Sequence, residues 1–272
     1  MNKPIGIFDS GIGGLTVVKQ LKNILPNEQL IYFGDTARIP YGTKSKKLIE
    51  QFAMEDARFL LRYDIKMLVV ACNTASSLAM DVLLENLDIP VVGVVIPGAR
   101  TAVDISKNKR IGVIGTSATI NSKAYNNSLL QYDPEVRVYA KPCPLLVPLV
   151  EEGWLDDPVT DLTLQKYLTD LIKEEIDTLI LGCTHYPLLE KSIRKVTRNQ
   201  VELIDSGKET AKVVKQALEE KNLLASPGNK KDHLFFVSDI PVKFLEIGSA
   251  FLGAPLQKVE RVDYETFIGI KH

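Results

Sequence analysis

Two cysteines sit in matching surroundings. Leu179–Leu189 reads Leu-Ile-Leu-Gly-Cys-Thr-His-Tyr-Pro-Leu-Leu, an apolar run ending at Gly182, then Cys183 and His185 ahead of Pro187. Met67–Ser77 reads Met-Leu-Val-Val-Ala-Cys-Asn-Thr-Ala-Ser-Ser, again an apolar run and a small residue, then Cys72 with Asn73 and Thr74. An apolar run that stops at polar, titratable residues is the pattern of a buried parallel strand presenting side chains at its carboxyl end. Each thiol has a titratable neighbour to work with, Asp9 for Cys72 and His185 for Cys183. A free thiol has a pKa of about 8.5, and nearby charges or a helix start bring it toward neutrality, where proton transfer is most effective. Two such thiols facing one cleft suit a reaction that needs an acid and a base on opposite sides of a substrate.

The elements that must hold these residues repeat as well. Ile5-Gly6-Ile7-Phe8-Asp9-Ser10 matches Ile111-Gly112-Val113-Ile114-Gly115-Thr116 at an offset of 106, Leu30–Gly34 matches Val136–Ala140 at that same offset, and the two cysteines lie 111 apart. The self-similarity predicts an α/β fold of two related lobes, each a mainly parallel sheet flanked by helices, with the active site in the cleft between them. Strands are expected over 4–8, 30–33, 66–71 and 91–95 in the first cycle, and over 110–114, 136–140, 178–181 and 201–204 in the second. Helices are expected over 15–25, from a Ser45 cap to about 63, and over 74–85, 99–106, from 122, and over 158–175. Segment 141–148 holds Cys143 and three prolines and reads as loop. The first lobe is drawn as 1–97 plus 208–272, and the second as 98–207. The last segment, with a helix over 209–221, a strand over 234–237 and a helix after Pro241, is expected to rejoin the first lobe.

Composition narrows the function classes. The chain has 272 residues, 45% apolar and 25% charged, and is of ordinary globular make-up. Its net charge of −1 gives no electrostatic basis for binding nucleic acid or an anionic membrane. The pairs Lys46-Lys47 and Lys230-Lys231 read as solvated surface. No secretory signal is visible and no apolar run reaches membrane-spanning length. Three cysteines, an odd number, do not describe a disulfide framework. A reducing cytoplasm is the expected location.

Polar residues cluster at the expected strand ends, where doubly wound sheets bind ligands: Asp9-Ser10, Asp35, Cys72-Asn73-Thr74, Thr116-Ser117 and Cys183-Thr184-His185. Gly11-Ile12-Gly13 followed by a helix, with Asp35 after the second strand, resembles a dinucleotide fingerprint. Two features count against that reading: Thr16 replaces the third glycine, and Asp9 would set a carboxylate beside a pyrophosphate. The alternative is a tight turn with exposed N–H groups at a helix start. Cys143 is read as a small buried hydrophobe. No Cys-x-x-Cys or paired-histidine spacing points to zinc. For His185 a core or capping role is the competing reading, and for Asp9 a helix-start carboxylate.

Taken together, Asp9-Ser10-Gly11-Ile12-Gly13-Gly14-Leu15-Thr16-Val17, Gly34–Gly42, Ala71–Ala75 and Gly182–Leu188 resemble the bacterial glutamate racemases, in the same order from Ile5 to Gly207. The resemblance implies cofactor-independent interconversion of L- and D-glutamate, supplying the D-isomer for peptidoglycan. It implies Cys72 and Cys183 as the acid/base pair with Asp9 and His185 assisting them. It further implies Asp9, Ser10, Tyr41, Gly42, Asn73, Thr74, Thr184 and His185 as glutamate-binding positions, no metal, and a homodimer. Glu151 aligns loosely with a family acid near the second thiol, and Asp35 receives no role. Some relatives carry an N-terminal extension tied to activation by a cell-wall precursor, and this sequence shows none. Racemases of aspartate or hydantoins, malonate decarboxylase, and a two-lobed amino-acid-binding protein are the alternatives.

Overall fold

A computed structural model of the chain describes residues 2–229, 231–239, 244–256 and 258–263. The strands are β1 (Ile5–Asp9), β2 (Leu30–Gly34), β3 (Met67–Val70), β4 (Val91–Gly93), β5 (Arg110–Gly115), β6 (Arg137–Pro142), β7 (Thr178–Gly182), β8 (Glu202–Asp205), β9 (Leu234–Val237) and β10 (Glu260–Arg261). They form one sheet of order β10-β9-β2-β1-β3-β4 and a second of order β6-β5-β7-β8. The described pairs are parallel throughout. Parallel strands joined by crossover helices are covered on both faces, so β1, β3 and β7 read as continuous apolar runs and are buried along their whole length. The order β2-β1-β3-β4 recurs as β6-β5-β7-β8, which makes the lobes structural repeats.

Register locates the thiols within that repeat. Ile5 pairs with Met67, and its counterpart Ile111 pairs with Thr178. Cys72 and Cys183 each stand five residues beyond those partners, at equivalent sites. The offset of 106 fails for the second strands. Ile5 pairs with Leu30, but Ile111 pairs with Val138, so matching Leu30 to Val136 is two residues out of register. A two-residue slip leaves every side chain on its own face, and hydrophobic patterning is blind to it.

Prolines lie in two of the other departures, and the remaining two involve none. The helix expected from 99 is Val95–Ile105, with Pro97 in its first turn, where no intrahelical N–H is needed. In the segment read as loop, β6 runs to Pro142 and a helix Leu146–Glu151 holds Pro148 in its first turn. The helix expected over 74–85 is two, Asn73–Leu78 and Met80–Asn86, and that expected from 122 is Ala124–Tyr132, preceded by Ser117–Asn121. The lobe boundaries at 97/98 and 207/208 fall in the first turns of Val95–Ile105 and Ser206–Glu220, two helices that pack on each other. β9 lies beside β2 and β10 beside β9, so strands from the end of the chain extend the first sheet. The helix drawn after Pro241 is Phe244–Leu252. Pro241 itself, Lys230 and 264–272 lie outside the described residues. No helix among the described residues is long and apolar enough to cross a membrane.

Candidate active site

The carboxyl ends of β1, β3, β5 and β7 face a cavity of about 370 Å³ lined from both sheets. Both thiols line it, and so do Ser10, Tyr41, Gly42, Asn73, Thr74, Thr184 and His185. Asp9 is the exception among the residues expected to act on or bind the substrate, being wholly buried behind the lining. Its Oδ2 accepts the Gly11 N–H at 3.0 Å, and its Oδ1 has no hydrogen-bond partner among the described residues. Burial raises the Asp9 pKa, and the His185 charge and the N–H groups of Gly14, Gly11 and Ser10 act against that rise.

Cys72 opens the helix Asn73–Leu78. Its Sγ accepts the Ala75 N–H at 3.5 Å, and its S–H donates to Ser10 Oγ at 3.5 Å. Burial, and then the Asp9 charge, push this thiol up to about 12. At neutral pH Cys72 is therefore protonated in this state. Cys183 has a different neighbour. Its Sγ lies 3.8 Å from His185 Nδ1, and His185 Nε2 lies 3.0 Å from Glu151 Oε1. Burial alone would lower the His185 pKa, but contact with Cys183 and Glu151 outweighs it and raises the imidazole to about 10. A protonated His185 donates from both ring nitrogens, to the sulfur and to the carboxylate. Phe251, from the C-terminal segment, meets the His185 ring edge-on at 5.0 Å.

One expected result follows from this relay. A pKa raised from 6.5 to about 10 contributes stability that is complete below the lower value and is lost as pH climbs through the higher one. Glu151→Gln removes one cause of the rise, so the His185 titration, followed by NMR of the ring, is expected to move down. The alkaline fall in melting temperature should begin earlier. Glu151 is 37% exposed in its side chain, so solvent screens the pair and the effect on stability is small. An unmoved titration would remove Glu151 from the relay.

The two lobes meet at backbone distance around these groups. A Cβ on Gly13 would overlap Thr184 Oγ1 and come to 2.6 Å from His185 Nδ1, so only glycine permits this approach. Thr16, standing where a dinucleotide site has its third glycine, donates to the Thr184 carbonyl at 3.1 Å across the cleft. Gly42 also packs closely on Thr116, where a Cβ would lie 2.8 Å from the Thr116 Cβ. Thr74 Oγ1 is 3.0 Å from Thr116 Oγ1, which is 2.9 Å from Thr119 Oγ1. Asn73 Nδ2 donates to Tyr125 Oη at 3.1 Å, and Tyr125 Oη is 2.8 Å from Ser206 Oγ.

Several expectations are refined. Tyr41 commits its hydroxyl to Asp35 and Asp56, neither of which lines the cavity. Asp35, buried against Arg38, Tyr41 and Ser238, is in no position to take a ribose, which ends the dinucleotide reading. Cys143 is fully buried, with its Sγ 3.5 Å from the Lys141 carbonyl, and does not line the cavity. Sequence reasoning missed Thr119, Tyr125 and Phe251 and gave Glu151 no firm place. Glu151 was recoverable, since a proline in a helix's first turn would have placed it on Leu146–Glu151, and Tyr125 and Phe251 carried no local signal.

Repeated parallel lobes with a thiol at each equivalent strand end define the architecture of an Asp/Glu/hydantoin racemase, and that family's model matches residues 5–214. A curated glutamate racemase from Geobacter metallireducens is 50% identical over 263 residues, 97% of each chain. The crystal structure of glutamate racemase from Francisella tularensis in complex with D-glutamate superposes with a TM-score of 0.92 at 43% identity, covering 97% of this chain and 99% of that one. Escherichia coli glutamate racemase, in complex with L-glutamate and the activator UDP-MurNAc-ala, gives a TM-score of 0.79 at 28% identity over 96% and 98% of the chains. The chain belongs to the glutamate racemases, isomerases of the Asp/Glu/hydantoin racemase family.

Proposed function

We propose that this chain interconverts L- and D-glutamate by proton transfer between Cys72 and Cys183, with no metal or organic cofactor. The observation that carries the reading is that both sulfurs line one cavity from equivalent positions in opposite lobes. The glutamate ligands of the Francisella and Escherichia relatives support the substrate. One thiolate removes the α-proton from one face of the substrate. The opposing thiol donates its proton to the other face, so each turnover exchanges the protonation states of the pair. The intermediate carries its charge onto the α-carboxylate, where Asn73, Thr74 and Thr184 offer hydrogen bonds from both lobes. Asp9 assists Cys72, and His185, held by Glu151, assists Cys183. Ser10 and the backbone of Tyr41 and Gly42 complete the glutamate site.

The division into lobes 1–97 plus 208–272 and 98–207, a cytoplasmic location, a homodimer and D-glutamate supply for peptidoglycan belong to the same proposal. In heavy water the enzyme is expected to place deuterium at Cα of glutamate from either enantiomer, read by NMR or mass spectrometry. A protein that binds glutamate without exchanging that hydrogen is a receptor, and the proposal fails. Activity is also expected to survive dialysis against chelator, and its loss there would bring in a metal.

A further inference from the structure

Beside the cavity lies a buried charged cluster that the reaction does not use. Asp35, just after β2, and Asp56, on the helix Lys46–Leu61, have no exposed surface. Arg38 lies between them with its guanidinium over the Phe52 ring. Its Nε donates to Asp35 Oδ2 at 2.6 Å, its Nη2 to Asp56 Oδ1 at 2.9 Å, and its Nη1 to Glu55. Ser238 donates to Asp35 Oδ1 at 2.9 Å. The Tyr41 hydroxyl then touches both acids, Asp35 Oδ2 and, at 3.1 Å, Asp56 Oδ2.

A phenol has one proton to give. With two carboxylate oxygens against it, the second contact is a hydrogen bond only if a carboxyl supplies the proton. Two buried carboxylates at this spacing repel, and a shared proton removes the repulsion. We propose that Asp35 and Asp56 carry one charge between them and, through Arg38 and Tyr41, hold the 39–43 loop at the cavity wall. They are positioning residues: Ile39, Pro40, Tyr41, Gly42 and Thr43 all line the cavity, whereas neither acid does. Burial pushes both carboxyls up, and the Asp35 charge pushes Asp56 further. Among the described residues, the charged or titratable groups acting on the pair include Arg38, Tyr41 and Glu55.

The inference rests on the glutamate reading of the cavity, and its test separates the two. An amide has the donor and acceptor of a protonated carboxyl, so Asp35→Asn or Asp56→Asn leaves the single charge on the remaining acid. Each single variant is expected to fold and to keep the glutamate KM within about three-fold of the parent, whereas the double variant, in which Arg38 meets two neutral amides, is expected to raise KM by about ten-fold or more with kcat little changed. Infrared spectra at pH 8 are expected to show a protonated-carboxyl carbonyl band in the parent that disappears in either single variant. Unfolding of the double variant alone reports the same loss of the shared charge. The inference is overturned if a single variant fails to fold, if the KM effects are additive, or if the band survives both substitutions. An inactive parent that shows the band behaviour would instead defeat the glutamate reading and leave the pair intact.

Discussion

Cys72→Ser and Cys183→Ser are each expected to lower racemisation by about three orders of magnitude, the range that separates a working acid/base group from none. Serine is close in size, and at position 72 it remains a good helix cap. The Ala75 N–H that Cys72 Sγ accepts would still have a partner. The fold should therefore stand, with the loss falling on chemistry, because a hydroxyl is a far weaker acid than a thiol and does not ionise in the working pH range to serve as a base. Circular dichroism and the melting temperature check the first half of that statement.

The partial reactions are more telling than the overall loss. A glutamate analogue with a leaving group at Cβ needs only proton removal, so each variant should still eliminate it from the enantiomer whose base is intact. The two variants are expected to show opposite enantiomer preferences. The environments of the thiols already differ: Cys72 lies near buried Asp9 and is pushed up to about 12, whereas Cys183 sits 3.8 Å from a raised imidazole. Elimination of one enantiomer by both variants, or near-parental racemisation by either, would rule out two thiols on opposite faces.

Much of this site was legible because parallel α/β folds place function where strands stop. The runs before Cys72 and Cys183 are apolar without alternation, which announces strands buried on both faces and dates their ends to within a residue or two. Ser45 capping Lys46–Leu61 was equally local. What sequence could not show depended on contacts across the cleft. Tyr41 was read as a glutamate-binding position, and the partners of its hydroxyl, Asp35 and, fifteen residues on, Asp56, were not foreseen. Tyr125 and Phe251 reach the site only because the second lobe and the C-terminal segment fold back on it. The register error at the second strands belongs to the same class, since β2 and β6 keep their faces under a two-residue shift.

Gly13→Ala is expected to lower the rate by roughly a hundred-fold without touching a thiol. The added methyl would fall on Thr184 Oγ1 and lie 2.6 Å from His185 Nδ1 and 2.7 Å from His185 Cε1. The ring has little room to yield, with Nε2 held by Glu151 at 3.0 Å and Phe251 packed edge-on against it. Thr184 is tied as well, because its carbonyl accepts the Thr16 hydroxyl from the same glycine turn. Overpacking of this kind costs about 1–3 kcal/mol of stability, and a shift of about 1 Å in a catalytic group costs roughly a hundred-fold in rate. The lobes must therefore part slightly, widening the gap between the sulfurs. The measurement is kcat in both directions with the melting temperature beside it. A large fall in kcat with a melting temperature only a few degrees lower is the expected result. An alanine variant with parental kcat would mean that the close approach at Gly13 does not set the distance between the two halves of the site.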